Sequence, residues 1–167
     1  KSRNPSQQEK AKDPNLPKVA LFVTCYGNHN SPTLVMDMKK IFEYNGIELK
    51  VIQSDSCCGM PKFELGDLAS VKGFADKNMA EMSELVEEGY LITAPIPSCV
   101  LMYRKELPLL LSEDDAVQQV SKAMRDPFEI LMSLMKEGHL RTDFVRELGS
   151  VAYHAPCHQR VQNIGYK

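Results

Sequence analysis

The feature that most constrains the fold is the run Val19–Thr24, in which apolar residues follow one another without a charged side chain. A strand exposed on one face alternates apolar and polar residues, whereas a continuous apolar run is typical of a strand buried on both faces of a parallel sheet. Such a strand needs helices on both sides to cover it. The second, third and fourth strands are predicted at Glu48–Ile52, Tyr90–Ala94 and Val151–His154.

Helical patterns separate the predicted strands. After a predicted loop over residues 26–30, Ser31 and Pro32 are typical of a helix start, and Asn45-Gly46 is typical of its end. The other predicted helices cover residues 67–88, 98–107, 114–124 and 126–137, and the last of these opens with a capping-box pattern. This alternation predicts an α/β fold: an open, mostly parallel, Rossmann-like sheet with helices on both faces.

A cysteine follows every predicted strand. The cysteines are Cys25 after the first strand, Cys57 and Cys58 after the second, Cys99 after the third and Cys157 after the fourth. In sheets of this kind, sites form at the carboxyl ends of the strands, where helix N-termini favour anionic sulfur. The pair Cys57-Cys58 precedes Gly59 and suits a tight loop. A metal or cluster accepts two neighbouring thiolates more easily than a disulfide accepts the strain of joining them.

Composition limits the classes of binding partner and the cellular compartment that we expect for this protein. The net charge of −2 does not favour nucleic acid or an anionic membrane surface, and no apolar run approaches the ~20 residues that span a bilayer. An odd number of cysteines without a secretory signal favours a reducing compartment. We therefore expect the cytoplasm, with attachment to the inner face of the membrane only through a partner. Residues 1–17 are predicted to be a linker or extended arm within a longer polypeptide.

The cysteine spacing resembles a known repeat. Cys25 is followed by 31 residues, then by Cys57-Cys58-Gly59, and 40 residues separate Cys58 from Cys99. This resembles the cysteine-rich repeat with a CCG signature, which occurs in the B subunit of heterodisulfide reductase, the C subunit of anaerobic glycerol-3-phosphate dehydrogenase and related lactate-oxidation proteins. Tyr153–Arg160 is similar to the opening of a second copy. The resemblance implies a first repeat over residues 18–149 and the start of a second, incomplete repeat over residues 150–167.

The resemblance implies iron–sulfur electron transfer. Its best-understood members bind a non-cubane [4Fe-4S] cluster, and the ligands carried over to this chain are Cys25, Cys57, Cys58 and Cys99. The full cluster-binding form ends in Cys-x-x-Cys, but here the last position is Met102, whose thioether is a weak, neutral ligand. The first site is therefore expected to hold a simpler cluster, to hold zinc, or to be vestigial. Cys157 is expected to begin a separate, second metal site.

We expect a redox domain or subunit of an oxidoreductase complex, passing electrons between a flavoprotein or ferredoxin-like module and a disulfide or quinone acceptor. Two alternatives stay open. One is an interaction domain stabilised by zinc, in which three of the four thiolates and one histidine bind the metal ion. The other is a metal-free thiol–disulfide switch at Cys57-Cys58. His154 and His158 are expected to hydrogen-bond the loop around Cys157. The sulfurs of the first site are expected on one sheet edge, within about 8 Å of one another.

Overall fold

The computed structural model describes residues 15–54 and 56–165, and within them four strands form one parallel sheet in the order β2-β1-β3-β4. The strands are β1 (Lys18–Leu21), β2 (Glu48–Val51), β3 (Tyr90–Thr93) and β4 (Met124–Arg125). The helices are α1 (Cys25–His29), α2 (Pro32–Tyr44), α3 (Met60–Glu64), α4 (Leu68–Glu87), α5 (Pro97–Leu101), α6 (Leu107–Leu110), α7 (Asp115–Ala123), α8 (Pro127–Lys136) and α9 (Cys157–Arg160). A π-helical segment, Met102–Glu106, joins α5 to α6.

Apolar side chains of β1 point to both faces of the sheet, as the continuous apolar run predicted. Ala20 and Phe22 belong to a large core that includes the inner faces of α4 and α7 and the π-helical segment. Val19 belongs to a smaller core on the other face, formed with α2 and α8. Because successive residues of a strand face opposite ways, one short strand contributes to both cores. The predicted open α/β sheet with helices on both faces is confirmed.

Side-chain caps explain where several helices begin. Asp67 accepts a hydrogen bond from the Ser70 amide at the start of α4, and Asp114 accepts one from Val117 at the start of α7. At the start of α8, the capping box predicted from the sequence is present, with Asp126 capping the first turn and Glu129 accepting from the Asp126 amide. These caps satisfy N–H groups that have no partner within the helix.

The predicted fourth strand, Val151–His154, is wrong. This segment has no strand structure, and the edge position beside β3 is taken by β4, which pairs Met124 with Ile92 and Arg125 with Thr93. Tyr153 of this segment instead donates to Gln159 of α9, which donates to Asp126 at the start of α8. Cys157 therefore does not follow a strand but begins the short helix α9.

Smaller differences also separate the prediction from the structure. The predicted loop over residues 26–30 is largely the helix α1, and the helix α3 was not predicted. Residues 1–14 of the predicted arm lie outside the described residues, while Leu16 packs against the smaller core. None of the described helices combines the length and the apolar character needed to cross a membrane.

Candidate functional site

The strand order creates a crevice at the carboxyl edge of the sheet. From β1 the chain passes to β2 on one side and then to β3 on the other, so the connections leave β1 and β3 in opposite directions. Ligands of open α/β sheets bind at such switch points, outside the carboxyl ends of the strands. Cys25 follows β1, Cys57 and Cys58 follow β2, and Cys99 lies in α5 after β3. Topology thus gathers cysteines that are far apart in the sequence.

The four sulfurs form a continuous row. Cys25 Sγ lies 3.8 Å from Cys57 Sγ. Cys57 and Cys58 each affect the pKa of the other, and Cys99 affects the pKa of Cys58, so these side chains are neighbours. Cys58 and Cys99 are buried, whereas Cys25 and Cys57 are partly exposed. The row therefore runs from the surface into the large core, and we name it the cysteine row.

Local backbone geometry places Cys25 at one end of the row. The preceding residue, Thr24, is buried and has φ 70° and ψ 154°, a conformation that a β-branched residue rarely adopts. Its hydroxyl accepts a hydrogen bond from the Gly27 amide at 2.9 Å, which caps α1. A Cβ at Gly27 would lie 2.7 Å from a methyl group of Val35, so glycine is needed where α1 packs on α2. Strain of this kind persists where surrounding contacts fix it, often at functional sites.

Gly59 shapes the loop at the middle of the row. Its φ of 95° lies in the left-handed region, which glycine adopts without the steric cost of a Cβ. From this conformation its amide nitrogen lies 3.4 Å from Cys57 Sγ and donates to that sulfur. The same residue caps α3, which begins at Met60. The glycine of the signature thus turns the chain away from the paired cysteines and adds a donor to one of them.

A buried asparagine holds the loop from behind. Asn78 of α4 donates from Nδ2 to the Cys57 carbonyl at 3.0 Å and to the Tyr103 hydroxyl at 2.7 Å, and its Oδ1 accepts from the Ser54 hydroxyl. A role for Asn78 was not predicted from the sequence. A signal was present, because Asn78 stands three residues after Ala75 and four before Met82, on the face of α4 that is otherwise apolar and buried.

Crowding and burial raise the pKa values of Cys25, Cys57 and Cys58. Burial, followed by Cys57, raises the pKa of Cys25. The hydrogen bond with Cys58, followed by burial, raises the pKa of Cys57 well above the usual range. At Cys58, the bond with Cys57 lowers the pKa, but Cys99 and burial outweigh it and the net pKa is raised. Disulfide exchange requires a thiolate, and a bound metal deprotonates its cysteine ligands.

The potential metal ligands of the row are four cysteine thiols. Among residues 15–54 and 56–165, no three His, Cys, Asp or Glu side chains are arranged to hold one metal ion. His154 is exposed and His158 partly exposed, both beside Cys157 rather than within the cysteine row. Four cysteines are a common ligand set of iron–sulfur clusters.

Two further positions predicted from the sequence lie near this row. Met102, at the place of the missing thiolate, is fully buried in the large core and begins the π-helical segment. Cys157 is exposed at the start of α9, which packs against α5, the helix that carries Cys99. His158 does not donate to the Cys157 loop through its ring in the described hydrogen bonds, and its carbonyl accepts from Gln162.

Comparison with known proteins identifies the sequence around the row. Residues 19–104, which contain all four cysteines of the row, match the family described as the CCG cysteine-rich domain. The chain is 30% identical over 159 residues to the C subunit of the anaerobic glycerol-3-phosphate dehydrogenase of Escherichia coli, covering 92% of this chain and 37% of that protein. It is 33% identical over 144 residues to lactate utilization protein A of Bacillus pumilus, covering 84% and 58%. The chain thus spans less than two thirds of either relative. No solved structure matches it.

Proposed function

The chain belongs to the CCG cysteine-rich domain family, and from that premise we propose that it is an iron–sulfur electron-transfer domain of an oxidoreductase complex. The observation that carries the proposal is the cysteine row at the carboxyl edge of the sheet, in which Cys25 and Cys57 lie 3.8 Å apart and Cys58 and Cys99 continue into the core. Cys25, Cys57, Cys58 and Cys99 are the proposed ligands.

The surroundings of the row support a redox centre. An iron–sulfur cluster held there would supply one-electron transfer, at a potential set by hydrogen bonds to sulfur, by charge and by exposure to solvent. The chain provides two of these controls. Gly59 directs an N–H at Cys57 Sγ, and the large core shields Cys58 and Cys99 while the Cys25 end stays near the surface. With four thiols and Met102 in the fifth position, the centre we propose is simpler than the five-thiolate non-cubane cluster.

The names of the relatives support a role beside other redox modules. One is a dehydrogenase subunit and the other a lactate utilization protein. We propose that this domain passes electrons between a flavoprotein or ferredoxin-like module and a disulfide or quinone acceptor, as in a heterodisulfide-reductase-like complex. Cys157, exposed beside α5, is proposed as the first ligand of a second site completed by residues outside this sequence.

Anaerobic reconstitution tests the proposed function. The protein is incubated with ferrous iron and sulfide, or with zinc, desalted and analysed for iron, acid-labile sulfide and zinc. The proposal predicts a brown protein with iron and sulfide bound in comparable amounts and a visible absorption that bleaches on reduction with dithionite. A colourless protein that retains zinc in preference to iron, or that retains no metal, would overturn it.

A further inference from the structure

Thr24 lies between β1 and Cys25 and has a backbone conformation that its residue type disfavours. We propose that Thr24 is a positioning residue: its hydrogen bonds hold this strained conformation, and the conformation places the Cys25 sulfur beside that of Cys57. The part of this inference that concerns iron rests on the proposed function, whereas the part that concerns the two thiols does not.

The backbone of Thr24 is unusual within the fold. Among the described residues other than glycine, only Thr24 and Asn163 have a positive φ, at 70° and 58°. Asparagine enters the left-handed region more easily than most residues, whereas a β-branched residue does so rarely. With ψ at 154°, Thr24 lies in a region that is adopted almost only by glycine. Such a conformation costs free energy and persists only where the surrounding structure imposes it.

Hydrogen bonds on both sides of Thr24 impose this conformation. Before it, the Phe22 amide donates to the Thr93 carbonyl at 2.8 Å, so the chain is bonded to β3 as far as Phe22. After it, the Thr24 hydroxyl accepts from the Gly27 amide at 2.9 Å and its carbonyl accepts from the Asn28 amide at 3.0 Å. The residue is 4% exposed. The change of direction between the sheet and α1 is therefore confined to the two residues after Phe22.

The Thr24 hydroxyl is packed as well as hydrogen-bonded. A Cβ placed at Gly27 would lie 3.3 Å from Thr24 Oγ1 and 2.7 Å from a methyl group of Val35, so the oxygen lies against the glycine that packs α1 on α2. A hydroxyl in this place satisfies an N–H group that the first turn of α1 leaves without a helical partner. Valine has almost the same shape as threonine but no such acceptor. The hydroxyl, and not only the volume of the side chain, is therefore expected to matter.

The consequence for the site is the position of the Cys25 sulfur. Cys25 is the first residue of α1, so its direction follows from the backbone of Thr24 and from the turn that the hydroxyl caps. In this arrangement Cys25 Sγ lies 3.8 Å from Cys57 Sγ, which is 32 residues later in the sequence. Two preorganised thiols lose less entropy when a metal centre or a disulfide joins them. The competing view is that Thr24 only stabilises α1, so that its loss would lower stability without a specific effect on the thiol pair.

The first test needs no metal. In the apoprotein, the effective concentration of the Cys25 and Cys57 thiols for each other is measured from the disulfide that they form at equilibrium with oxidised and reduced glutathione. One glutathione disulfide oxidises the two thiols, the Cys25–Cys57 bond forms, and two molecules of reduced glutathione are released. Peptide mass spectrometry with fragmentation quantifies this disulfide and distinguishes it from one that involves Cys58.

Three variants of Thr24 and one control separate the two views. Thr24→Val keeps the branched shape without the acceptor, Thr24→Ser keeps the hydroxyl, and Thr24→Gly removes the strain together with the hydroxyl. Thr93→Val is the control, because Thr93 is 0% exposed at the end of β3 and its hydroxyl donates to the Arg125 carbonyl at 2.9 Å. Urea midpoints are measured for all of them, under conditions in which each is folded without urea.

The expected result is a loss that follows the hydroxyl of Thr24. The effective concentration should fall about three- to tenfold in Thr24→Val and Thr24→Gly, because a lost capping hydrogen bond has an effect of about this size. It should stay within about twofold of wild type in Thr24→Ser and Thr93→Val. A wild-type value in Thr24→Val or Thr24→Gly, or an equal loss in Thr93→Val, would overturn the role of Thr24, as would the absence of a Cys25–Cys57 disulfide in the wild type.

The second test separates this inference from the proposed function. After anaerobic reconstitution, Thr24→Val is expected to retain clearly less iron than Thr24→Ser and Thr93→Val. If the wild type takes up no iron, the proposed function fails, and the glutathione equilibrium still decides whether Thr24 positions Cys25. If the wild type takes up iron and Thr24→Val retains the same amount despite a reduced effective concentration, the part that concerns iron is overturned and the proposed function stands.

Discussion

At the scale of single residues, Gly59 combines a backbone requirement with a contact to the site. Its φ of 95° is in the left-handed region, and its N–H donates to Cys57 Sγ. We expect Gly59→Ala to lower the free energy of unfolding by about 1–2 kcal/mol, because a Cβ is disfavoured in this conformation. The change is also expected to reduce the iron retained after reconstitution, since it disturbs the turn that positions Cys57. Urea denaturation and iron analysis measure the two effects.

Gly66 provides the matched control for this prediction. It has φ 75°, and no atom lies within 4 Å of the position its Cβ would take. Gly66→Ala should therefore have a similar cost in stability but retain wild-type iron, because no described hydrogen bond joins the turn between α3 and α4 to a cysteine of the row. Equal iron loss in the two variants would show that the effect of Gly59 is one of general stability.

Asp126 is a buried carboxylate that makes the folding free energy depend on pH. Burial is the main cause of its raised pKa, which lies above the ordinary value of 3.8. The folded state therefore holds a proton on Asp126 over a range of pH in which the unfolded state has lost it. The contribution to stability is fully present below the ordinary pKa and declines as pH rises through the raised folded value. Asp126→Asn removes this group, so the stability of wild type minus that of the variant should fall with rising pH.

Urea denaturation of wild type and Asp126→Asn across this range, from about pH 4 upward, measures that difference. Parallel profiles for the two proteins would contradict the prediction. Asp126→Ala serves as a second comparison, because it also removes the cap of α8 and leaves the Gln159 amide without its acceptor. We expect that variant to lose about 1–3 kcal/mol at the acid end of this range and less as pH rises, because it removes the same titrating carboxyl.

At the scale of the secondary-structure elements, the sequence predicted β1, β2, β3 and the longer helices, but missed the short helices α1 and α3 and the two-residue strand β4. The apolar run of β1 and the caps of α4 and α8 are local signals, and each of these elements lies close to its predicted position. β4 has two residues, and its sequence continues the amphipathic pattern of α7, so nothing local marks it as a strand. Its formation depends on pairing with β3, a contact over more than thirty residues of sequence.

The segment with the Tyr-His-x-Pro-Cys-His pattern shows the same dependence on distant contacts. Tyr153 donates to Gln159 at 2.6 Å, and Gln159 donates to Asp126 at 2.9 Å. These side-chain bonds dock α9 on the start of α8 instead of adding a strand to the sheet. The apolar residues Val151 and Tyr153 of the predicted strand are both exposed, so no burial in a core stabilises a strand here.

Substitution of Met102 tests whether a side chain at this position can act as a ligand or only fills the core. Its side chain is fully buried beside the helix of Cys99. We expect Met102→Cys to lower the free energy of unfolding by about 1–3 kcal/mol, because the smaller side chain leaves a cavity, and to leave iron per chain unchanged. Met82→Cys, at a fully buried methionine of α4 in the same core, is the control for the cavity. Higher iron content in Met102→Cys alone would show that a thiol at this position acts as a ligand.

At the scale of the whole molecule, the strand order explains why cysteines spread over 75 residues of sequence form one row. The placement of cysteines after strands pointed to a shared edge, because the carboxyl ends of parallel strands lie on the same side of a sheet. The order of sulfurs within the row could not be predicted, since it depends on the turn at Gly59 and on the hydrogen bonds of Asn78. Those contacts join separate elements, and no local sequence pattern indicates which elements lie together.

The measurement that tests the account most directly is the iron and sulfide content of five single serine variants after anaerobic reconstitution. The variants are Cys25→Ser, Cys57→Ser, Cys58→Ser, Cys99→Ser and, as the control, Cys157→Ser. Because a serine hydroxyl is a poor substitute for thiolate at an iron–sulfur cluster, each of the first four should retain clearly less iron and sulfide than wild type. Cys157→Ser, outside the cysteine row, should retain the wild-type amount. Wild-type iron in the four row variants, or equal loss in Cys157→Ser, would contradict the account.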